Sequence, residues 1–549
     1  MNNKQQRNRL FTMLMLVMAM LAPQWAWAQK QPDVGTGTTA DPFVITSAEE
    51  LAWFRDYVNE AADKQGDEMT KRLSACAKLQ PADGVIDMSS VCSEDGGKSW
   101  VPISIDEIFW YGTFDGQGYT ISNLYVNNQS LYNIGLFGDV NFSQEGTDCK
   151  ITNIRFSKAK VSGVHRAGIL CGRLRQCKVS KIITDDDCVV SSSGDVGGIV
   201  GNADDGASIA ECNNAATVSG TSWFGGICGT VSGESSLSQC ANHGRVEGTS
   251  NDGGGIVGIV NNNIIAITGC ANYASVKGQD QIGGIAGFVA SGTTITDCAN
   301  YASVEGRVQI GGIVGMGDNT LCNVLSCGNV TSTSFGGLLV GKGNVAATGV
   351  VAYNSEATPS DLSGYGSLTS GSATGYTASI LKTGMVAYLL NGGRTGEQAA
   401  WGQNLAEDGD AFPVVGSAYR VYPEGKVTLN CTTNELEGTF SNTTTTDGTF
   451  GVGHGTAVHH AAQAATCTQD GCSESWQCSL CGKTFDDEGL THEVGSTVVP
   501  ATGHDYDDND RCTKCNQEIR FVTLGDNAIS IEKVFGEFEK IGGYNLYPK

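Results

Sequence analysis

Two Cys-x-x-Cys pairs stand near the end of the chain, Cys478 with Cys481 and Cys512 with Cys515, with 30 residues between them. Four thiolates at such spacing suit a tetrahedral structural zinc ion. In an exported chain the same cysteines can instead pair as disulfides. His454, His459, His460, Cys467, Cys472, His492 and His504 surround them. Either cross-link would staple a module too small for a large core. Asp505, Asp507, Asp508 and Asp510 invite a calcium loop. An EF-hand needs Gly where Asp510 stands and Glu where Asn516 stands, so a solvated acidic turn is expected.

A second constellation is Asp195, Trp223 and Asp252. They share one register of the repeat set out below, with Trp223 between the two carboxylates. Stacked as strands, the carboxylates would lie about 9.6 Å apart, at the edge of the separation that inverting glycosidases use. An indole between them can stack on a sugar. Two features weigh against catalysis. Asp280 sits one position off the register, and between Gly197 and Gly343 the only basic residues are Arg245, Lys277, Arg307 and Lys342. There is no His-Glu-x-x-His, Gly-x-Ser-x-Gly or Walker loop. The three residues are therefore candidates for binding, and no residue is assigned as catalytic.

What must position these groups is a repeat. A Gly-Gly-Ile-x-Gly motif recurs at 197–201, 225–229, 254–258, 283–287 and 311–315, in steps of 28 or 29 residues. Looser copies lie at 134–138, 167–172 and 336–341. Between them runs Cys-x-Asn-x-x-x-Val-x-Gly, from Cys212, Cys240, Cys270 and Cys298, with a shortened form at Cys327. Each unit holds short β-branched segments separated by turn residues, with no helical period. Such a unit buries its apolar face only by stacking on its neighbours. Stacking predicts three columns. Asn214, Asn242, Asn272, Asn300 and Asn329 would form an amide ladder. Glu247, Lys277 and Glu305 would alternate in charge on the solvent side. Cys212, Cys240, Cys270, Cys298 and Cys327 would be buried thiols acting as small hydrophobes.

Composition agrees with that reading. Glycine supplies 74 of 549 residues and charged residues only 17%, as turns built from Gly, Ser, Thr and Asn require. A hydrophobic share of 40% is too high for a disordered chain. The net charge of -24 argues against a nucleic-acid partner. Residues 1–28 carry Lys4, Arg7 and Arg9, an apolar run and a closing Ala26-Trp27-Ala28, which reads as a cleaved signal peptide. No later stretch is apolar enough for a membrane span.

The Gly-Leu-Phe-Gly at 135–138 and its Gly-Gly-Ile-Val-Gly variants resemble the GLUG motifs of bacterial secreted and surface proteins. The segment Tyr111–Leu124 is similar to the entry strand of those domains, and 35–51 to their lead-in. In that lead-in Ser47 and Glu50 form a capping box opening an amphipathic helix over Leu51, Phe54 and Val58. The resemblance implies a pectin-lyase-like scaffold. An insertion between Cys76 and Cys92 departs from it, and those two cysteines can form a local disulfide. The run from Ala465 to Tyr506 resembles small Cys/His repeats of large bacterial surface proteins.

The expected fold is mainly β: a right-handed parallel β-helix (solenoid) with short helical caps and a small Cys-rich C-terminal module. Its expected divisions are a signal peptide (1–28), an N-terminal cap (29–110), the GLUG-repeat β-helix (111–355), a C-terminal cap (356–430), a Thr-rich linker (431–453) and the Cys/His module (454–549). Within the C-terminal cap, Thr383 to Gly393 reads as an N-capped helix. The expected function is adhesion or binding at a surface, to a glycan or to a host or bacterial surface ligand. The alternative is a polysaccharide lyase or glycoside hydrolase of the same architecture.

Overall fold

The computed structural model describes residues 30–530 apart from 106, 142–148, 262–264, 359–366, 434, 445–446, 510, 519–520 and 525–526. The signal segment expected at 1–28 lies outside the described residues. The described chain divides into two compact units, one reaching Tyr422 together with Phe440–Thr444, the other formed by Pro423–Thr439 and the residues from Thr445.

The first unit is a parallel β-solenoid. Two of its sheets have eight strands each, one running from Tyr125–Asn127 to Val330–Thr331, the other from Asn133–Ile134 to Ser334–Gly337. A third, continuous sheet closes each turn through strands such as Val200–Asp204 and Ser208–Ala210. The motif falls into columns, with Gly197, Gly225, Gly254, Gly283, Gly311 and Gly337 paired rung to rung. The isoleucines that follow, Ile199, Ile227, Ile256, Ile285 and Ile313, are fully buried and form the core.

The amide ladder forms as the spacing predicts, through Asn300. Asn214 Nδ2 donates to Asn242 Oδ1 (2.8 Å), Asn242 to Asn272 (2.9 Å) and Asn272 to Asn300 (2.8 Å). Thr184 starts the column by donating its hydroxyl to Asn214. The ladder explains the second glycine of each motif. A Cβ on Gly226 would lie 2.1 Å from the Gly255 carbonyl oxygen and 2.4 Å from Asn242 Cγ.

Two column assignments shift at the last turn. Ser326, not Asn329, stands opposite Asn300, and Cys327 therefore follows the amide column and leaves the thiol column, where Val324 takes its place. The shortened motif has lost residues before its cysteine, so equal spacing fails there. Cys212, Cys240, Cys270 and Cys298 are buried and unpaired, and burial raises the thiols of Cys212 well above their ordinary range. Lys277 pairs with Glu305 at 3.1 Å, while Glu247 turns to Arg245. One disulfide forms, Cys149 to Cys177, between neighbouring rungs with Cα atoms 4.8 Å apart. Cys76 and Cys92 do not pair; each is buried as a free thiol.

The sheet extends beyond both ends of the recognisable repeat. Phe43–Ile45 pairs with Ala77–Leu79, which pairs with Thr113–Asp115, so the N-terminal segment supplies rungs as well as a cap. The helix Ala48–Asn59 forms as predicted, with Ser47 Oγ accepting from Glu50 N. Glu50 reaches back one residue further than a standard capping box, to Thr46 N at 2.7 Å. Phe54 packs 6.0 Å from Phe114 of the third rung. At the other end, Ser367–Ser370 and Ala373–Tyr376 add to Asn344–Asn354. The following helix is short, Met385–Leu390, with Gly384 at its N-cap, while Thr383 Oγ1 accepts from Met385 N.

The segment after this helix lies on the solenoid. Arg394 grips Asp297 with two bonds of 2.6 Å, and Trp401 Nε1 donates to the same carboxylate at 3.1 Å. Tyr301 Oη donates to the Pro413 carbonyl at 2.6 Å.

The second unit has small sheets and little core. The Thr-rich stretch expected as a linker carries Leu436–Ser441 and Thr449–Gly453, which flank Tyr422–Asn430 in one sheet. Its small apolar cluster centres on Cys478, Phe485 and Leu490.

Candidate metal centres and a polar recess on the solenoid

The Cys-x-x-Cys pairs do not share one site. Cys478 and Cys481 group with Cys431 and His454, whereas Cys512 and Cys515 group with Cys467 and His504. Within each group all four ligand atoms lie within 4.8 Å of one another. A four-thiolate centre fails because each pair closes its own tight turn and meets a thiol and an imidazole from elsewhere. Strand pairing places one side of the first group: Ser475–Cys478 runs antiparallel to Ala457–His460, just after His454.

The distances have chemical meaning. Tetrahedral bonds of about 2.3 Å to sulfur and about 2.05 Å to nitrogen imply S···S edges near ~3.8 Å and S···N edges near ~3.5 Å. Cys431 and Cys478 sulfurs are 3.9 Å apart, and Cys467 and Cys512 3.7 Å. His454 Nδ1 stands 3.6 Å from Cys481, and His504 Nδ1 3.3 Å from Cys515. Desolvation opposes the charge on Cys478, but the backbone N–H groups of Cys481, Leu480 and Gly455 bring its thiol down to about 6. Either group can hold a metal ion. Sequence spacing missed Cys431 and His454, whose partners lie more than twenty residues away; the signal available was the pair of Cys-then-His-then-Cys-x-x-Cys orders.

Asp195, Trp223 and Asp252 do share a register, immediately before the paired residues Val196, Phe224 and Gly253. Trp223 and Asp252 both take left-handed backbone conformations (φ 55° and 62°) at a corner of the coil. Trp223 is 42% exposed. The two carboxylates differ in environment. Asp195 is buried and held by the Thr230 hydroxyl and the Arg166 guanidinium, the latter at 3.3 Å. Burial pushes Asp252 up to about 6 against a bond from Trp223, and its Oδ1 is buried with no hydrogen-bond partner.

Beside them lies a polar network that sequence reasoning did not anticipate. Arg173 pairs with Asp204 at 2.7 Å, and Arg175 with both oxygens of Asp139 at 3.0 Å. Asn202 stands in register between Arg173 and Thr230, is only 6% exposed, and its Oδ1 has no partner. The search for basic residues between Gly197 and Gly343 began too late in the chain. The three arginines come from the preceding turn, at 166, 173 and 175. The recess thus offers guanidinium and hydroxyl donors, carboxylate and amide acceptors, and an indole at its rim. This set can bind a polyhydroxylated ligand.

No profile of a known protein family matches the chain. The chain is 28% identical over 186 residues, a third of its length, to halomucin of Haloquadratum walsbyi, and spans about 2% of that protein. A crystal structure from Bacteroides ovatus, assigned provisionally as an immunoglobulin A1 protease, superposes at 19% identity with a TM-score of 0.41, over 70% of this chain and 94% of the other. At that score the resemblance is loose, and the parallel β-solenoid rests on the strand pairing above. Among the described residues no helix is long and apolar enough to cross a membrane.

Proposed function

We propose that this chain is an exported surface protein whose solenoid binds glycans, with a C-terminal unit held by two structural zinc ions. The observation that carries the binding reading is the recess: buried Asn202 and Asp252 oxygens without protein partners, next to an exposed Trp223. An orphaned buried acceptor costs roughly 1–3 kcal/mol, and a ligand hydroxyl removes that cost. The GLUG-like motifs, the signal-like N-terminus and the similarity to halomucin over a third of the chain support the surface setting. The near-tetrahedral edges at both Cys/His groups support zinc. The whole chain on an array of immobilised oligosaccharides is expected to bind a defined subset. Trp223→Ala and Asp252→Asn are expected to weaken that binding about tenfold or more. Unchanged binding in both variants would sink the recess as the site.

A glycoside hydrolase is the second reading, favoured by one observation. Asp252, pushed up to about 6, is poised to donate a proton, two rungs from Asp195. Asp195 is committed to Arg166 and Thr230, which suits a charge-stabilising role. Reducing-sugar release that disappears in Asp252→Asn would establish hydrolysis; none from the array-selected glycan would leave binding alone.

A further inference from the structure

A second corner of the solenoid is built with unusual regularity. Asn153, Lys181, Glu211, Gln239, Asp297 and Asn323 all adopt left-handed conformations, with φ between 51° and 58°. They succeed one another in register, one per rung. Each non-glycine residue there costs about 1 kcal/mol or more, yet all six bear polar side chains. The one glycine of the column is Gly269 (φ 66°).

This column forms one wall of a trough. Two cavities of about 500 and 520 Å3 lie along it and share Glu211. Gly269 lines the second, and a side chain there would project into it. The opposite wall is an aromatic stack on the positions following the amide ladder. His243 and Tyr273 rings lie 4.5 Å apart and parallel within 1°, and Tyr273 and Tyr301 lie 4.8 Å apart. The stack ends at His243, which is exposed and whose outer face looks toward small Ala215. The floor is small, with Ala241 and Ala271.

One end of the trough is shut. The segment locked down through Arg394, Trp401 and Pro413 presents Gln398 and Arg420 to the cavity. Donors (Lys181, Gln239, Arg420) and an acceptor (Glu211) line the walls without a single dominant charge. That pattern suits the hydroxyls of a neutral sugar, each both donor and acceptor, better than a charged ligand.

We infer that this closed trough binds the terminal residues of an oligosaccharide chain, separately from the Trp223 recess. The inference rests on the glycan-binding reading. It is tested with the whole chain on an array carrying each oligosaccharide twice, with its terminal residue free and capped. Binding is expected for free ends, with a drop of about tenfold or more on capping. Gly269→Gln, matching the conformation of neighbouring Gln239, fills the cavity and is expected to abolish the free-end preference. Gln398→Ala, on the exposed covering segment, is expected to weaken it several-fold and guards against a folding defect in the first variant. Parent-like binding in both variants overturns the inference. Loss on Trp223→Ala but not on Gly269→Gln overturns it too, while leaving glycan binding intact. If no oligosaccharide binds, both readings fall.

Discussion

Asn242→Ala tests whether the amide ladder holds the solenoid together. Asn242 makes four hydrogen bonds while fully buried. Its Nδ2 donates to Asn272 Oδ1 and to the Gly244 carbonyl, each at 2.9 Å. Its Oδ1 accepts from Asn214 Nδ2 at 2.8 Å and from Gly244 N at 3.3 Å. At about 1 kcal/mol for each bond lost, the change is expected to cost about 4 kcal/mol. The Gly244 carbonyl and the two neighbouring amides, stranded without water, would push this upward. Asn213→Ala is the control, one residue earlier on the same strand and exposed, with an expected effect within about 0.5 kcal/mol. Asn242→Ser should fall between them, because Ser326 already occupies the last position of the column. Urea unfolding followed by circular dichroism gives the midpoints. Hydrogen exchange of the Ala241–Gly244 amides reports the local loss where a repeat fold unravels in parts. If Asn242→Ala comes within about 1 kcal/mol of Asn213→Ala, the ladder is decoration and the glycine column needs another explanation.

The purified chain is expected to carry two zinc ions by elemental analysis. His454→Ala and His504→Ala should each lower the count to one, and a shared four-cysteine site would instead give a count of one in the parent. Asp252 binds its proton more tightly folded than unfolded, so its contribution is full below pH 3.8 and is lost as pH rises through about 6. Asp252→Asn should flatten that decline, by at most about 3 kcal/mol and by less to the extent that water screens the carboxyl. Asp297→Ala strands the Arg394 guanidinium and frees Trp401 Nε1. A loss of about 2–3 kcal/mol is expected, with new proteolytic cuts between Asn391 and Arg420; an unchanged digestion pattern would contradict it.

The repeat was legible because its signals are local and redundant. Spacing of 28 or 29 residues put Asp195, Trp223 and Asp252 in one register before any coordinates. Where the spacing shortens, the same reasoning misplaced Asn329 and Cys327, since a bulge between Cys322 and Val324 resets the phase. The first rungs, at Phe43–Ile45 and Ala77–Leu79, carry no glycine motif and could not be seen as rungs. The metal groups depend on contacts across tens of residues. Cys-x-x-Cys fixes half of each site, and nothing in the spacing says which distant Cys and His complete it. Likewise Arg166, Arg173 and Arg175 bear on Asp195, Asp204 and Asp139 only because one turn of the coil brings them beside those carboxylates.

Each asparagine of the ladder bonds only to the rungs directly before and after it, and each motif glycine makes room only for its own neighbours. No rung carries information about its position in the whole. A complete turn can therefore be duplicated or deleted without disturbing the register of the rest, whereas a change of one residue would break two columns. The reach of the molecule is thus set in whole steps of about 4.8 Å, and lineages carrying this fold can differ in length by counting turns while keeping every contact rule unchanged.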